Sequence, residues 1–252
     1  MKIKVLTLNI WGGEFLERVV DFIRKENPDV VLLQEVYNGT GNLDSKYQSL
    51  YVLQAKLNYS YYAFEPSLID VRSIGNILWG NAILSRFPIR NQKSIFFDIP
   101  FGEVSLKKND AQSRSQFFPM NILGTNIKIS NKDISAYSLH GIWGFDGEDN
   151  PRRLDMSKTI VDEIKNKKNV ILAGDFNVTP HTKTIENIEK HLQNVFKNEF
   201  TSTFNMNHKE LPGYATAVVD MIFVSKTMKI KNHYMPDVDV SDHMPLVCEL
   251  EI

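Results

Sequence analysis

The sequence predicts an α/β or α+β fold in one domain, residues 1–252. Two observations carry that expectation. Near-continuous apolar runs of strand length alternate with segments whose apolar residues recur at helical spacing. No Gly/Ser-rich or Pro-rich linker and no short-period repeat divides the chain. Each half contains strand–helix–strand units, so two facing sheets with helices outside are expected.

Residues 3–10 (IKVLTLNI) read as a buried strand. Residues 14–27 place Phe15, Val19, Phe22 and Ile23 on one helical face, and Pro28 ends that helix because it can neither donate nor fit the next turn. Residues 29–36 (DVVLLQEV) form a second strand, apolar enough to be covered on both sides. A helix carrying Tyr47, Leu50, Tyr51 and Leu57 follows. Residues 81–85, 94–99, 115–123 and 133–140 are strand-like pieces separated by turns, as in antiparallel or mixed sheet, with 99–114 a polar loop. Asn150 and Pro151 read as an N-cap and a first helical residue, with Leu154, Ser157, Val161 and Ile164 facing inward. Residues 169–176 are another buried strand. Ile185, Ile188 and Leu192 mark a short amphipathic helix, and 217–225 and 244–252 are the last main strands.

Composition bounds the rest. Hydrophobic residues make up 42% and charged residues 23%, the balance of a folded chain rather than a disordered one. A formal net charge of -1 argues against a broad basic field, though a local basic groove can sit on a neutral protein. The single cysteine, Cys248, cannot form an internal disulfide and lies in an apolar run, so it reads as a small core residue. No window approaches the roughly 18 apolar residues of a membrane span and no signal-peptide pattern opens the sequence, which makes a cytoplasmic protein without membrane insertion the expectation.

The polar residues at the ends of these apolar runs are the informative ones. Asn9 closes the first, Glu35 sits near the end of the second, His140 ends DISAYSLH, Asp175 and Asn177 follow VILAG, Asp220 lies within VVDMIF, and Asp242-His243 precede MPLVCELEI. Taken singly, each has an ordinary reading: a strand terminus, a turn after Gly174, a hydrogen-bonded core histidine. Jointly they suggest strand ends converging on one site. An acid such as Asp220 inside an apolar strand needs a partner, because burying an unpaired carboxylate costs several kcal/mol.

The segments LTLNIW, LLQEV, NAILSRFPI, SLHG, ILAGDFN, VDMIFVS and SDHMPL occur in this order across nearly the whole chain. This series resembles the endonuclease/exonuclease/phosphatase superfamily, which includes deoxyribonucleases, apurinic/apyrimidinic endonucleases, tyrosyl-DNA phosphodiesterases, neutral sphingomyelinases and inositol polyphosphate phosphatases; its bacterial branch is nearest in phrasing. The resemblance implies a four-layer sandwich, two mixed β-sheets packed face to face with helices outside, and a monomer. It implies a divalent-metal-dependent phosphoester hydrolase using Mg²⁺ or Mn²⁺. By position, Asn9, Glu35 and Asp242 would hold or adjoin the metal, and Asp175 would orient or deprotonate the attacking water. His140 and Asn177 would contact the phosphate, as would His243, with Asp220 fixing its ring. The chemistry is consistent: Mg²⁺ takes oxygen ligands and keeps several waters, and the His/Cys spacing of zinc sites is absent.

Substrate choice is expected in the loops 37–46, 65–80, 99–114, 141–152 and 201–216, where Arg72, Trp143 and Arg114 are candidate substrate-binding residues and Phe101, Lys107 and Lys108 lie nearby. One departure stands out: Phe204 in TSTF occupies a position where related bacterial sequences tend to carry arginine. The leading expectation is a phosphodiesterase or nuclease acting on DNA or RNA. The alternatives are hydrolysis of a small-molecule or lipid-derived phosphate, a non-catalytic binding protein on the same scaffold, and a different metallophosphatase fold. Activity that survives a chelator would count against the metal mechanism, and the last alternative would place Asn9 and His243 far apart.

Overall fold

A computed structural model describes residues 1–105, 117–209 and 217–252. Lys107, Lys108 and Arg114 therefore lie outside the described residues, as do parts of the loops 99–114 and 201–216. Among the described residues, two mixed sheets form the body of the protein. One has seven strands and the other six, with four α-helices on their outer faces.

The first sheet contains β1 (Lys2–Asn9), β2 (Val30–Asn38), β3 (Tyr61–Arg72), β4 (Gly75–Ser85), β6 (Glu103–Val104), β12 (Lys229–Tyr234) and β13 (Leu246–Glu251), in the order β12-β13-β1-β2-β4-β3-β6. The second contains β5 (Ile89–Phe96), β7 (Asn121–Ile129), β8 (Lys132–His140), β9 (Val170–Asp175), β10 (Leu192–Asn194) and β11 (Asp220–Ser225), in the order β10-β11-β9-β8-β7-β5. The helices are α1 (Leu16–Glu26), α2 (Ser49–Lys56), α3 (Pro151–Ile164) and α4 (Lys183–Glu189).

The layering follows from strand parity. Alternate side chains leave opposite faces of a strand. Val5, Leu32 and Ile83 of the first sheet meet Ile134, Ile171 and Ile222 of the second in the core between the sheets. Their neighbours Leu6, Leu8, Val31 and Leu33 turn outward onto α1 and α2. Tyr137, Leu172 and Phe223 turn outward onto Met156, Ile160 and Ile185 of α3 and α4. Central strands covered on both faces must be apolar at nearly every position, which is why they were conspicuous in the sequence. Burying each large aliphatic or aromatic side chain contributes about 1.5–3 kcal/mol.

Helix limits have local causes. Asn27 adopts a left-handed conformation, φ 55°, and its amide closes α1 onto Ile23 O at 2.9 Å before Pro28. Asn150 Oδ1 accepts the Arg153 amide at 3.0 Å and caps α3.

Several expectations need correction. The face of α3 is rotated: Arg153, Met156, Ser157, Ile160 and Ile164 are buried, whereas Leu154 and Val161 are only half-buried. The buried face of α1 uses Leu16 and Val20 beside Val19, Phe22 and Ile23, and Phe15 lies just outside the helix. Leu50 and Leu53 anchor α2, while Tyr51 is exposed and Tyr47 belongs to the preceding 3₁₀ turn, Ser45–Gln48. The supposed loop 65–80 is instead the β3–β4 hairpin. Pro66 disguised it, and the strand accommodates that proline through a register shift between Pro66 and Leu68. Among the described residues no helix is long and apolar enough to cross a membrane.

Candidate active site at the shared end of two sheets

Topology brings the polar strand ends together. β1 and β2 are parallel, as are β8 and β9, so their C-terminal ends point the same way. β13 is antiparallel to β1 and β11 is antiparallel to β9, so the beginnings of these strands join that end. Asp175 is thereby in register with both His140 and Asp220.

Asn9 spans the seam between the sheets. Its Nδ2 donates to Glu35 Oε1 and to Asp175 Oδ2, each at 3.2 Å, while its Oδ1 accepts the Trp11 amide at 3.0 Å. Ser241 Oγ donates to Asn9 O at 2.6 Å, tying in the segment that carries Asp242 and His243. Gln34 adds a second tie, with Nε2 2.9 Å from Ser138 Oγ, which itself donates to Leu33 O at 3.0 Å.

Three non-glycine residues here are left-handed: Trp11 (φ 51°), Glu35 (φ 60°) and Asn177 (φ 54°). For Glu35 the cause is a bulge in β2, where the register against β4 shifts between Leu33 and Val36. A bulge re-aims one side chain relative to its neighbours, and it leaves Glu35 half-buried while Gln34 and Val36 are fully buried. Asn177 follows Asp175, whose Oδ1 accepts the Asn177 amide at 2.9 Å; Asn177 Nδ2 donates to Gly141 O at 3.2 Å. Such sparsely populated conformations persist where surrounding contacts over-determine them, commonly at functional sites.

Two glycines permit the close approach of β8 and β9. A Cβ at Gly174, where φ is +147°, would lie 2.0 Å from Leu139 O, and one at Gly141 would lie 2.1 Å from Phe176 O.

Asp175 Oδ2 faces two imidazoles: His140 Nε2 at 3.6 Å and His243 Nε2 at 3.8 Å. His243 Nδ1 is 2.9 Å from Asp220 Oδ2. Burial alone would lower the His243 pKa, but the charges of Asp220, Asp242 and Asp175, with the Asp220 hydrogen bond, push it up to about 10. Burial pushes Asp220 upward as well, opposed by His243. The direction that matters is His243's, because three carboxylates surround one ring and favour imidazolium. Thr203 Oγ1 accepts the Val219 and Asp220 amides at 3.0 and 3.1 Å. Phe204 bridges to His243 and lays its ring 4.7 Å from the imidazole. Asp242 Oδ2 accepts Lys209 Nζ at 2.7 Å.

Asn9, Glu35, Asp175, Asp220, His140, Asn177, Asp242 and His243 are thus gathered at one end of the sandwich. The candidate substrate residues are arranged differently. Arg72 points inward: its guanidinium is held by Asp70, Tyr37 Oη at 3.0 Å and Tyr47 Oη at 2.9 Å. Trp143 is half-buried and packs against exposed Phe145, ring centroids 5.3 Å apart. Arg114 lies outside the described residues. Sequence reasoning placed Gln34 beside Glu35 at the end of the second strand but missed Ser138, Thr203, Ser241 and Lys209. The hydroxyls flank recognised motifs and could have been noticed there; Lys209 gave no signal, being one lysine in a loop. Cys248 is buried, and desolvation pushes its thiol upward, away from nucleophilic behaviour.

A group of three possible ligands, Asp175, Asp220 and His243, has its ligand atoms within 4.8 Å of one another. Asp220 Oδ2 and His243 Nδ1 are paired with each other, and His243 Nε2 faces Asp175. Beyond Asp220 lies a cavity of about 440 Å³, lined by Phe196, Met221, Val218, His181 and Lys197 among others.

The Endonuclease/Exonuclease/phosphatase family profile matches residues 6–243. No curated protein sequence matches. Solved structures share the fold. An endonuclease/exonuclease/phosphatase from Beutenbergia cavernae is 18% identical with TM-score 0.75, over 100% of this chain and 72% of that one. The mannosyl-6-phosphatase of Bacteroides thetaiotaomicron is 18% identical with TM-score 0.69, over 99% and 100%. TDP2 of D. rerio, complexed with a single-strand DNA product, is 17% identical with TM-score 0.70, over 100% and 99%.

Proposed function

The chain belongs to the endonuclease/exonuclease/phosphatase family, and from that premise we propose that it hydrolyses phosphoesters with a bound divalent cation, its substrate a phosphodiester of DNA or RNA. The observation that carries this reading is the surroundings of Asp175: one carboxylate oxygen within 3.2 Å of an amide, 3.6 Å of one imidazole and 3.8 Å of another.

A carboxylate so held can orient a water and accept its proton, which is general-base work. His243, charged by its three acidic neighbours, suits a phosphate oxygen that gains negative charge during attack. His140 presents Nε2 to Asp175 at 3.6 Å, while its Nδ1 is buried without a hydrogen-bond partner among the described residues. Asn177 adds an amide beside them. In-line displacement at phosphorus depends mainly on such positioning and electrostatics.

The donor set fits a hard cation on the Glu35 side. Glu35 is the half-buried acid of the site, and Asn9, Asp242 and Glu35 offer oxygen ligands of the kind Mg²⁺ or Mn²⁺ prefers. His243 is held by Asp220 through Nδ1, which suits it better to contacting the phosphate than to holding the ion. When bound, the cation would supply charge neutralisation at a non-bridging phosphate oxygen.

A second reading, hydrolysis of a small phosphomonoester, draws on the cavity beside Asp220, whose volume suits a sugar-sized group. DNA, RNA, nucleotide, sugar-phosphate and inositol-phosphate substrates, each assayed with Mg²⁺, Mn²⁺ and chelator, separate the two readings. Turnover of polynucleotide is the expected result. Turnover of a monoester alone favours the second, and none on any substrate leaves a binding protein on this scaffold.

A further inference from the structure

Resting on the phosphoester reading above, we propose that Lys209 is a substrate-phosphate contact: its ammonium, paired with Asp242, turns onto a phosphate oxygen when that carboxylate is shared with a cation.

Three observations lead there. Lys209 Nζ is 2.7 Å from Asp242 Oδ2, inside the group of residues joined through Asn9, Ser241 and His243. It also lies 4.6 Å from the Phe204 ring centroid, and the Phe204 ring in turn packs, tilted by 60°, 4.7 Å from that of His243. The lysine therefore shares one wall of the site with His243. Finally, its side chain is 27% exposed whereas Asp242 is 8% exposed, so the ammonium approaches a nearly buried carboxylate from the solvent side.

Charge decides what such a lysine can do. Among the described residues, Asp175 and Asp220 face His243, and Asp242 pairs with Lys209, so carboxylates crowd this end of the site. A divalent ion held by Glu35, Asp242 and Asn9 would offset part of that negative charge. An arriving phosphate diester then adds negative charge in a poorly solvated cleft, where an uncompensated ion is costly. Once Asp242 is shared with the ion, Lys209 is the cation whose partner has been weakened. A lysine has a long flexible stem and three rotatable donors, which suits it to swing between two acceptors. A simple structural ion pair would explain the 2.7 Å contact but neither the placement of the ammonium over the Phe204 ring nor its position beside His243.

The test uses inorganic phosphate as probe, titrated calorimetrically into the Mg²⁺-loaded full chain. Lys209→Met is expected to weaken phosphate binding at least tenfold and Lys209→Arg less than threefold, with melting temperatures near the parent. Lys209→Gln serves as a second neutral variant should the methionine fold poorly. Phosphate affinity unchanged in both neutral variants overturns the proposal. So does a result in which Mn²⁺, followed by electron paramagnetic resonance, binds Lys209→Met more tightly while phosphate binding is unaltered, because Lys209 is then only a placeholder on Asp242. The measurement needs no turnover, so an inert parent enzyme would sink the hydrolase reading while leaving the phosphate result to stand or fall alone.

Discussion

Asp220 Oδ2 lies 2.9 Å from His243 Nδ1, and both residues are buried at the mouth of β11 and β13. The pair explains an acid inside an otherwise apolar strand: the carboxylate is offset by an imidazolium, and the ring is fixed with Nε2 turned toward Asp175. If phosphate contact requires charged His243, activity should persist well above pH 7. Asp220→Asn removes a leading acidic neighbour, so the imidazole pKa should fall toward its usual value near 6.5 and the alkaline limb of the pH–rate profile should move to near neutrality. An unmoved limb would separate His243 from that role. The stability sign follows from linkage. The folded-state pKa is raised, so the charged ring's contribution is complete below about pH 6.5 and is lost as pH climbs through about 10.

Glu35→Gln should lower turnover by about 10²–10³-fold, the range seen when one transition-state-stabilising group is lost, and should weaken Mn²⁺ binding. Chelation should abolish parental activity. Because a cation bound only by the folded state stabilises it by mass action, about 2.7 kcal/mol at a hundred times its Kd, Mg²⁺ should raise the parent's melting temperature more than the variant's. Equal shifts in differential scanning calorimetry would move the metal away from Glu35.

Asn177 separates conformation from chemistry. Asn177→Gly tolerates φ 54° whereas Asn177→Ala pays about 1–2 kcal/mol for it. Both should lose activity through the missing amide, but only the alanine variant should also show a clear drop in urea midpoint. A glycine variant with full activity would remove Asn177 from the mechanism.

Gly174→Ala should be severely destabilising, by roughly 3 kcal/mol or more, since it combines overpacking with a strained φ. The added methyl would meet Leu139 O at 2.0 Å and press on Gln34 Nε2 at 3.0 Å. A melting temperature within a degree or two of the parent would show that β8 and β9 can separate more easily than their packing suggests.

How legible all this was in the sequence varied with its physical origin. Strands such as Val30–Asn38 and Val170–Asp175 were plain because both their faces are covered and every position must be apolar. Tyr61–Arg72 was not, since Glu65-Pro66 breaks the pattern and the proline is accommodated by a bulge that no local rule announces. The inward face of α3 was misjudged because Arg153, a charged residue, is fully buried, its guanidinium meeting Ile142 O at 3.1 Å and Asp146 at 3.1 Å. Acids and histidines at strand ends were visible as a set. Their order and spacing, more than any one of them, carried the resemblance. Arg72 misled for a simple reason: a cation in an apparent loop looks available, and only the hairpin turns it toward Asp70 and the two tyrosines. Lys209 was invisible because its position depends on the segment Thr203–Asn205 running alongside Asp242 and His243.

The Asn9 amide joins carboxylates on opposite sheets, and this makes the centre sensitive to sliding. A strand advances about 3.3 Å per residue, so a shift of one sheet past the other by a single position would move Asp175 out of reach of Asn9, and the packed layer between the sheets holds the two in place. The arrangement of Asn9, Glu35 and Asp175 should therefore be sensitive to small lesions in the layer between the sheets. The cross-ties at Gln34 and Ser138 act as pins against that drift.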